Sequence, residues 1–176
     1  MSGQFRVSTQ HAPQHRHTRI VITLDDGRDL RFLDQRTFGG LTLAPLVDGI
    51  PGPVTHIAPD PFEECFDVDE VARRLCARRS AIKRSLLDQT LVSGIGNIYA
   101  DETLWRVRCH PETPCSRLSQ SEAVELLQTA CDVMAEAMSQ GGTSFDSLYV
   151  NVNGESGWFS RVLDAYGRED EPLPPM

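Results

Sequence analysis

Between Leu91 and Glu102 the chain reads LVSGIGNIYADE, and the chemistry this run can do is anion binding. Gly94 and Gly96 place flexible backbone directly ahead of a segment with helix character that opens at Asn97. The first N–H groups of a helix have no intrahelical partner and lie at the positive end of its dipole, so a glycine turn that feeds into them can cradle an anion. Asn97 is expected to cap that helix and to offer its side-chain amide as a further donor. The basic residues just upstream make a nucleic-acid phosphate the expected anion.

Those basic residues are concentrated. Asp60 to Glu70 carries six acids and no base, whereas Arg73 to Arg84 carries Arg73, Arg74, Arg78, Arg79, Lys83 and Arg84 and no acid. Two readings stand side by side: a solvated helical face beside its acidic partner, or a stripe facing phosphates. Lys83 is the only lysine among 17 basic residues, so internal amine chemistry would fall to it. A net charge of −8 with pI near 5.0 argues by itself against a nucleic-acid binder. Cys109, His110 and Cys115 fit no common zinc spacing, and no metal site is expected. His11, His15 and His17 fall in a polar loop and read as solvated, with a phosphate contact as the alternative. Five cysteines without a C-x-x-C pair suit reduced thiols in the cytoplasm, and no run is apolar enough for a membrane span or a signal peptide.

The elements that must position these groups fall into two parts. Residues 1–58 read as β-structure: Arg19–Leu24 and Arg28–Asp34 are strands joined by Asp25-Asp26-Gly27, a hairpin dipeptide context. Leu41–Leu46 reads as a further short strand, followed by a linker over Gly49-Ile50-Pro51-Gly52-Pro53. Residues 59–176 read as helical. Asp67 with Glu70 is a capping box opening VDEVARRLCARR, with Val68, Val71 and Leu75 as its apolar face. Ser80 is placed to cap AIKRSLLD, and NIYADETLWRVR forms the next helix. Ser119 with Glu122 opens the longest helix, which runs to about Ser139 and stops at Gly141-Gly142. Leu126, Leu127, Ala130, Val133, Met134 and Ala137 mark its buried side. The remainder is loop-like.

The motifs together resemble the formamidopyrimidine-DNA glycosylase / endonuclease VIII family of base-excision repair enzymes. The matching pieces are collinear: MSGQFR, DQRTFGG, AIKRSLLDQTLVSGIGNIYADETLW, QGGTSF and AYGREDEP. The resemblance implies an α+β fold, a partial β-sandwich remnant followed by an all-α helix–two-turn–helix DNA-binding domain. It implies that Gly94, Gly96 and Asn97 grip a backbone phosphate with Tyr99 beside them, and that Lys83 lies near the lesion pocket. Arg36, Phe38 and Met1 match residues that fill and wedge the duplex where the damaged nucleotide flips out. Gly141, Gly142 and Thr143 begin a loop that covers the flipped base. A flipped base leaves a hole, and an inserted side chain must replace the lost stacking.

The same resemblance marks departures. Family enzymes attack with an N-terminal proline, assisted by a glutamate, and carry a C-terminal four-cysteine zinc finger; none of these occurs in the 176 residues. The expectation is therefore a truncated member with no catalytic residues and no cofactor that binds damaged or abasic double-stranded DNA without glycosylase activity. Two alternatives stay open: a residual glycosylase or abasic-site lyase using the α-amine or Lys83, and a protein-interaction remnant with no DNA role. Missing strands would leave an unpaired edge or an uncovered face, so self-association is expected.

Overall fold

The computed structural model describes residues 3–143, 152 and 156–168; Met1 lies outside the described residues. The chain divides into two compact units that interleave along the sequence. One comprises residues 1–43 with 137–162, and the other residues 44–136 with 163–176.

The first unit is built on three strands, β1 (Gly3–Thr9), β2 (Thr18–Thr23) and β3 (Arg28–Asp34), antiparallel in the order β1-β3-β2. The β2–β3 hairpin turns where Asp-Gly predicts it, with Gly27 at φ 80°, a backbone region that favours glycine. β3 is central and the most buried of the three. Phe32 faces Phe5 across the β1–β3 ladder with ring centroids 5.2 Å apart. Arg31 is buried beside Asp29, 3.0 Å away, and its guanidinium also donates to the carbonyls of Thr9, Ala12 and Pro13. A buried charge is tolerated when paired and hydrogen-bonded in this way, and here it pins the loop between β1 and β2. In that loop His11 and His15 are exposed and His17 half-buried.

The second unit opens with a two-rung ladder, β4 (Leu46–Val47) against β5 (Ile50–Pro51), and a 3-10 turn at Gly52–Val54. This corrects the expected Leu41–Leu46 strand. Pro45 has no N–H to give a ladder, and Leu41 and Leu43 lie exposed, so pairing begins only at Leu46. The expected linker at Gly49–Pro53 is the return arm of this small hairpin.

Helices α1 (Val68–Cys76), α2 (Ile82–Leu86), α3 (Asn97–Arg106) and α4 (Gln120–Ser139) follow. Asp67 caps α1, accepting from the N–H groups of Asp69 and Glu70. At α4 the capping box is reciprocal: Ser119 N–H donates to Glu122 Oε2 at 2.8 Å and Glu122 N–H to Ser119 Oγ at 3.3 Å. α4 ends in a Schellman motif, with Gly142 N–H donating to Ala137 O and Gly141 N–H to Met138 O. Two expected caps differ. Ala81, not Ser80, occupies the N-cap of α2, and Ser80 instead shares a hydrogen bond with Ser85. Gly96, not Asn97, occupies the N-cap of α3, and no side chain caps that helix. The core of this unit is Leu75, Ile82, Leu86, Leu91, Ile95, Leu126 and Leu127 with their neighbours. Each such side chain contributes on the order of 2 kcal/mol when fully buried.

Candidate nucleic-acid interface

The glycine turn is assembled from three kinds of restraint. Ile95 is a buried anchor between two exposed glycines, seated in the helical core. Gly94 has φ 86°, and a Cβ there would stand 2.9 Å from Met134 Cε and 3.0 Å from Asp60 Oδ2, so both conformation and space require glycine. Hydrogen bonds close the turn from outside: Ser93 N–H donates to Pro59 O at 3.2 Å, and Gly94 N–H donates to Gln89 Oε1 at 3.0 Å.

The turn delivers the chain to α3 with its N-terminus open. Gly96 and Asn97 are exposed, no side chain caps the helix, and its first turn carries no acid. Nothing intrinsic to that turn competes for the dipole's positive end, which suits an anion. Asn97 does not spend its amide as a cap and keeps it as a donor beside the same N–H groups. Tyr99 is half-buried and packs on the helical core.

The basic stripe is partly committed inside the chain. Glu70 pairs with Arg73 at 2.6 Å, Asp88 with Arg78 at 2.6 Å and Asp101 with Lys83 at 2.7 Å. Arg74 donates to Thr90 O. Arg79 and Arg84 are exposed and form no ion pair among the described residues. Both readings of the stripe therefore hold in part: some charges are an intramolecular face, others remain available. Bonds from the Arg78 guanidinium and from Thr90 hold the Asp88 carboxyl down to about 2, so it stays ionised and braces the residues that lead into the turn.

The wedge candidates belong to the other unit. Asp34 ends β3 fully buried and folds back on the residues after it, accepting from Arg36 N–H at 3.0 Å and Gly39 N–H at 2.7 Å. Thr37 takes φ 55° within this closed turn. A Cβ at Gly39 would meet Phe32 Cζ at 2.6 Å, so the turn packs directly on the sheet. Phe38 projects from it 84% exposed, which rules out a core role. A rigid turn that holds a bare aromatic ring in water is a poor stabilising device and a good stacking one.

Gly141 and Gly142 leave α4 at φ 75° and 91°. The chain returns against them: Trp158 N–H donates to Gln140 O at 3.0 Å and Phe159 N–H to Gly142 O at 3.3 Å. A Cβ on Gly157 would fall 1.9 Å from Gly142 O, so this closure needs a glycine. Thr143 Oγ1 is buried without a partner among the described residues. The rest of the expected covering loop lies outside them.

Two residues with clear roles are missed by local sequence patterns. Gln89 staples the glycine turn. Glu102, fully buried on α3, accepts from three successive N–H groups, those of Asp164, Ala165 and Tyr166, at 3.0, 2.9 and 2.8 Å. Three consecutive donors converging on one buried carboxylate tie residues 164–166 to the helix of the candidate grip. Cys109, His110 and Cys115 do not converge. Cys115 is buried against Ser85, and among the described residues no three His, Cys, Asp or Glu side chains could hold a metal. The zinc finger that the family resemblance implies has no ligand set among them.

Known proteins supply the remaining observation. Residues 57–148 match the formamidopyrimidine-DNA glycosylase H2TH domain, and residues 1–41 match the formamidopyrimidine-DNA glycosylase N-terminal domain. A formamidopyrimidine-DNA glycosylase of Rhodococcus jostii is 55% identical over 178 residues, covering 99% of this chain and 61% of the relative. A Lactococcus lactis Fpg crystallised with abasic-site DNA superimposes with TM-score 0.80 at 30% identity, over 98% of this chain and 62% of that one. The MutM (Fpg) protein of Thermus thermophilus gives TM-score 0.82 at 35% identity, over 99% and 64%. The chain thus spans about three fifths of the length of these relatives.

Proposed function

The chain belongs to the formamidopyrimidine-DNA glycosylase family, and from that premise we propose that it binds damaged or abasic double-stranded DNA. The observation that carries the reading is the open N-terminus of α3 behind the Gly94–Gly96 turn, uncapped and free of acids in its first turn. Gly96 and Asn97 take the phosphate, with Tyr99 packed behind them and Lys83 nearby in sequence order on α2. Arg36 and Phe38 supply the wedge, with Met1 as the third residue the resemblance assigns. Gly141, Gly142 and Thr143 form the root of the loop over the flipped nucleotide. The Lactococcus relative supports this, having been solved with abasic-site DNA.

The assignment is of binding, carried by protein groups without a cofactor. Lys83, the sequence's one lysine, is held in an ion pair with Asp101, and the neutral amine that Schiff-base chemistry requires is disfavoured there. Borohydride treatment on abasic DNA is expected to give no adduct through Lys83, which opposes the lyase alternative for that residue. Self-association through the edge of β2 and a cytoplasmic location belong to the same reading. The first is supported by exposed Val21 and Ile22, the second by five unbridged thiols.

The test is fluorescence anisotropy at low salt with duplexes that differ only in one tetrahydrofuran abasic analogue. Tighter binding of the abasic duplex is expected, together with about tenfold loss in Asn97→Ala, the scale of one hydrogen bond to a charged group. Equal affinity for both duplexes, or no binding, overturns the reading.

A further inference from the structure

We propose that Gln89 is the positioning residue of the phosphate grip: its carboxamide fixes the peptide plane that turns the Gly96 N–H outward. This rests on the DNA-binding reading above and names what shapes that site.

The Gln89 side chain spends all its bonds on backbone. Oε1 accepts from Gly94 N–H at 3.0 Å, while Nε2 donates to Leu87 O at 3.2 Å and to Ile95 O at 3.1 Å. Its own carbonyl accepts Ala58 N–H at 2.8 Å, which holds the residue from outside the turn. One carboxamide, with two donors and one acceptor in use, therefore joins both ends of the glycine turn.

The consequence follows from peptide geometry. Ile95 O and the Gly96 N–H belong to one planar trans peptide and point in opposite directions. With Ile95 O drawn inward to Gln89, the Gly96 N–H must face away from it. Gly96 is exposed and enters α3 in an extended conformation, φ −104° and ψ −178°. An outward N–H there stands next to the unpartnered start of the helix, where an anion gathers several donors at once. Gly94 at positive φ and Gly96 are the residues whose backbone freedom is greatest and costliest to freeze, so a staple that fixes them before binding lowers the cost of binding. A hydrophobic residue at position 89 could fill the same volume but could not orient that peptide.

The experiment uses the full chain with Gln89→Met, which keeps the volume and loses the bonds, and Gln89→Asn, which keeps the amide but is too short to span the turn. Affinity for the abasic duplex is expected to fall about tenfold in Gln89→Met and by a smaller factor in Gln89→Asn. The slope of log affinity against log salt should become shallower by about 0.9, the signature of one phosphate contact. In an Asn97→Ala background the Gln89→Met loss should shrink below about twofold, since both act on one phosphate. Amide exchange at Gly94 should accelerate in Gln89→Met without DNA.

Wild-type affinity and salt slope in Gln89→Met overturn the proposal. A loss that persists undiminished beside Asn97→Ala also overturns it, because general destabilisation would act independently of the grip. If the parent protein does not prefer abasic DNA, the DNA reading falls by itself. Exchange at Gly94 then decides the staple alone, and an unchanged rate in Gln89→Met denies it.

Discussion

At the scale of single residues, this chain reconciles an acidic net charge with a phosphate site by pairing its cations selectively. Lys83 and Asp101 lie 2.7 Å apart and are both partly exposed, so their attraction is screened and contributes little to stability. Its larger effect is on availability, because a cation held by a carboxylate releases fewer counterions when it meets DNA. Asp101→Asn removes that hold and one negative charge from the helix that carries the grip. The expected outcome is tighter binding to any duplex at low salt, with the salt slope steeper by up to about 0.9 and melting temperature nearly unchanged. Titrating both duplexes across salt concentrations checks this; an unchanged slope would mean that Lys83 does not approach phosphate. Phe38 teaches the complementary lesson about uncharged residues. Its type alone is compatible with a core position at a strand end, and only the buried Asp34 carboxylate, closing the turn on Arg36 and Gly39, shows why the ring stays in water.

At the scale of elements, what was legible in the sequence is what local chemistry decides. Asp26-Gly27 marks the β2–β3 hairpin, Asp67 marks the start of α1, Ser119 with Glu122 the start of α4, and Gly141-Gly142 its end, because each operates within a few residues of itself. The Leu41–Leu46 strand fails for the opposite reason. A strand needs a partner that its own sequence does not contain, and Pro45 withholds a donor. Asn97 and Ser80 are good cap residues by type, yet the chain enters each helix one residue away from the expected frame, with Gly96 and Ala81 extended. The role of Glu102 was illegible because its partners lie more than sixty positions on. It is also the element-scale feature with the largest energetic consequence. Glu102→Ala would orphan three backbone donors and leave a cavity at a fully buried site, which should cost about 3 kcal/mol or more. Urea unfolding should show a lowered midpoint, accompanied by faster amide exchange at Asp164, Ala165 and Tyr166. Retention of the parental midpoint would mean that water or other groups replace the carboxylate.

At the scale of the whole molecule, two associations compete for the same net charge, and salt separates them. β2 pairs only with β3 among the described residues, so its outer edge offers unpaired backbone groups, with Val21 and Ile22 each 39% exposed. Such an edge invites another strand, including that of a second copy. A chain of net charge −8 repels its own copies, and that repulsion weakens as salt shortens the Debye length. Self-association is therefore expected to strengthen from about 50 to 500 mM salt, while DNA binding weakens over the same range as counterion release loses its drive. Val21→Lys places a charge on the edge and should hold the protein monomeric in sedimentation velocity at concentrations where the parent associates. Its affinity for abasic duplex should stay within about twofold of the parent, because the wedge turn and the glycine turn are untouched. Equal association of Val21→Lys and parent would move the contact away from β2, and association that falls with salt would make it electrostatic rather than an edge pairing.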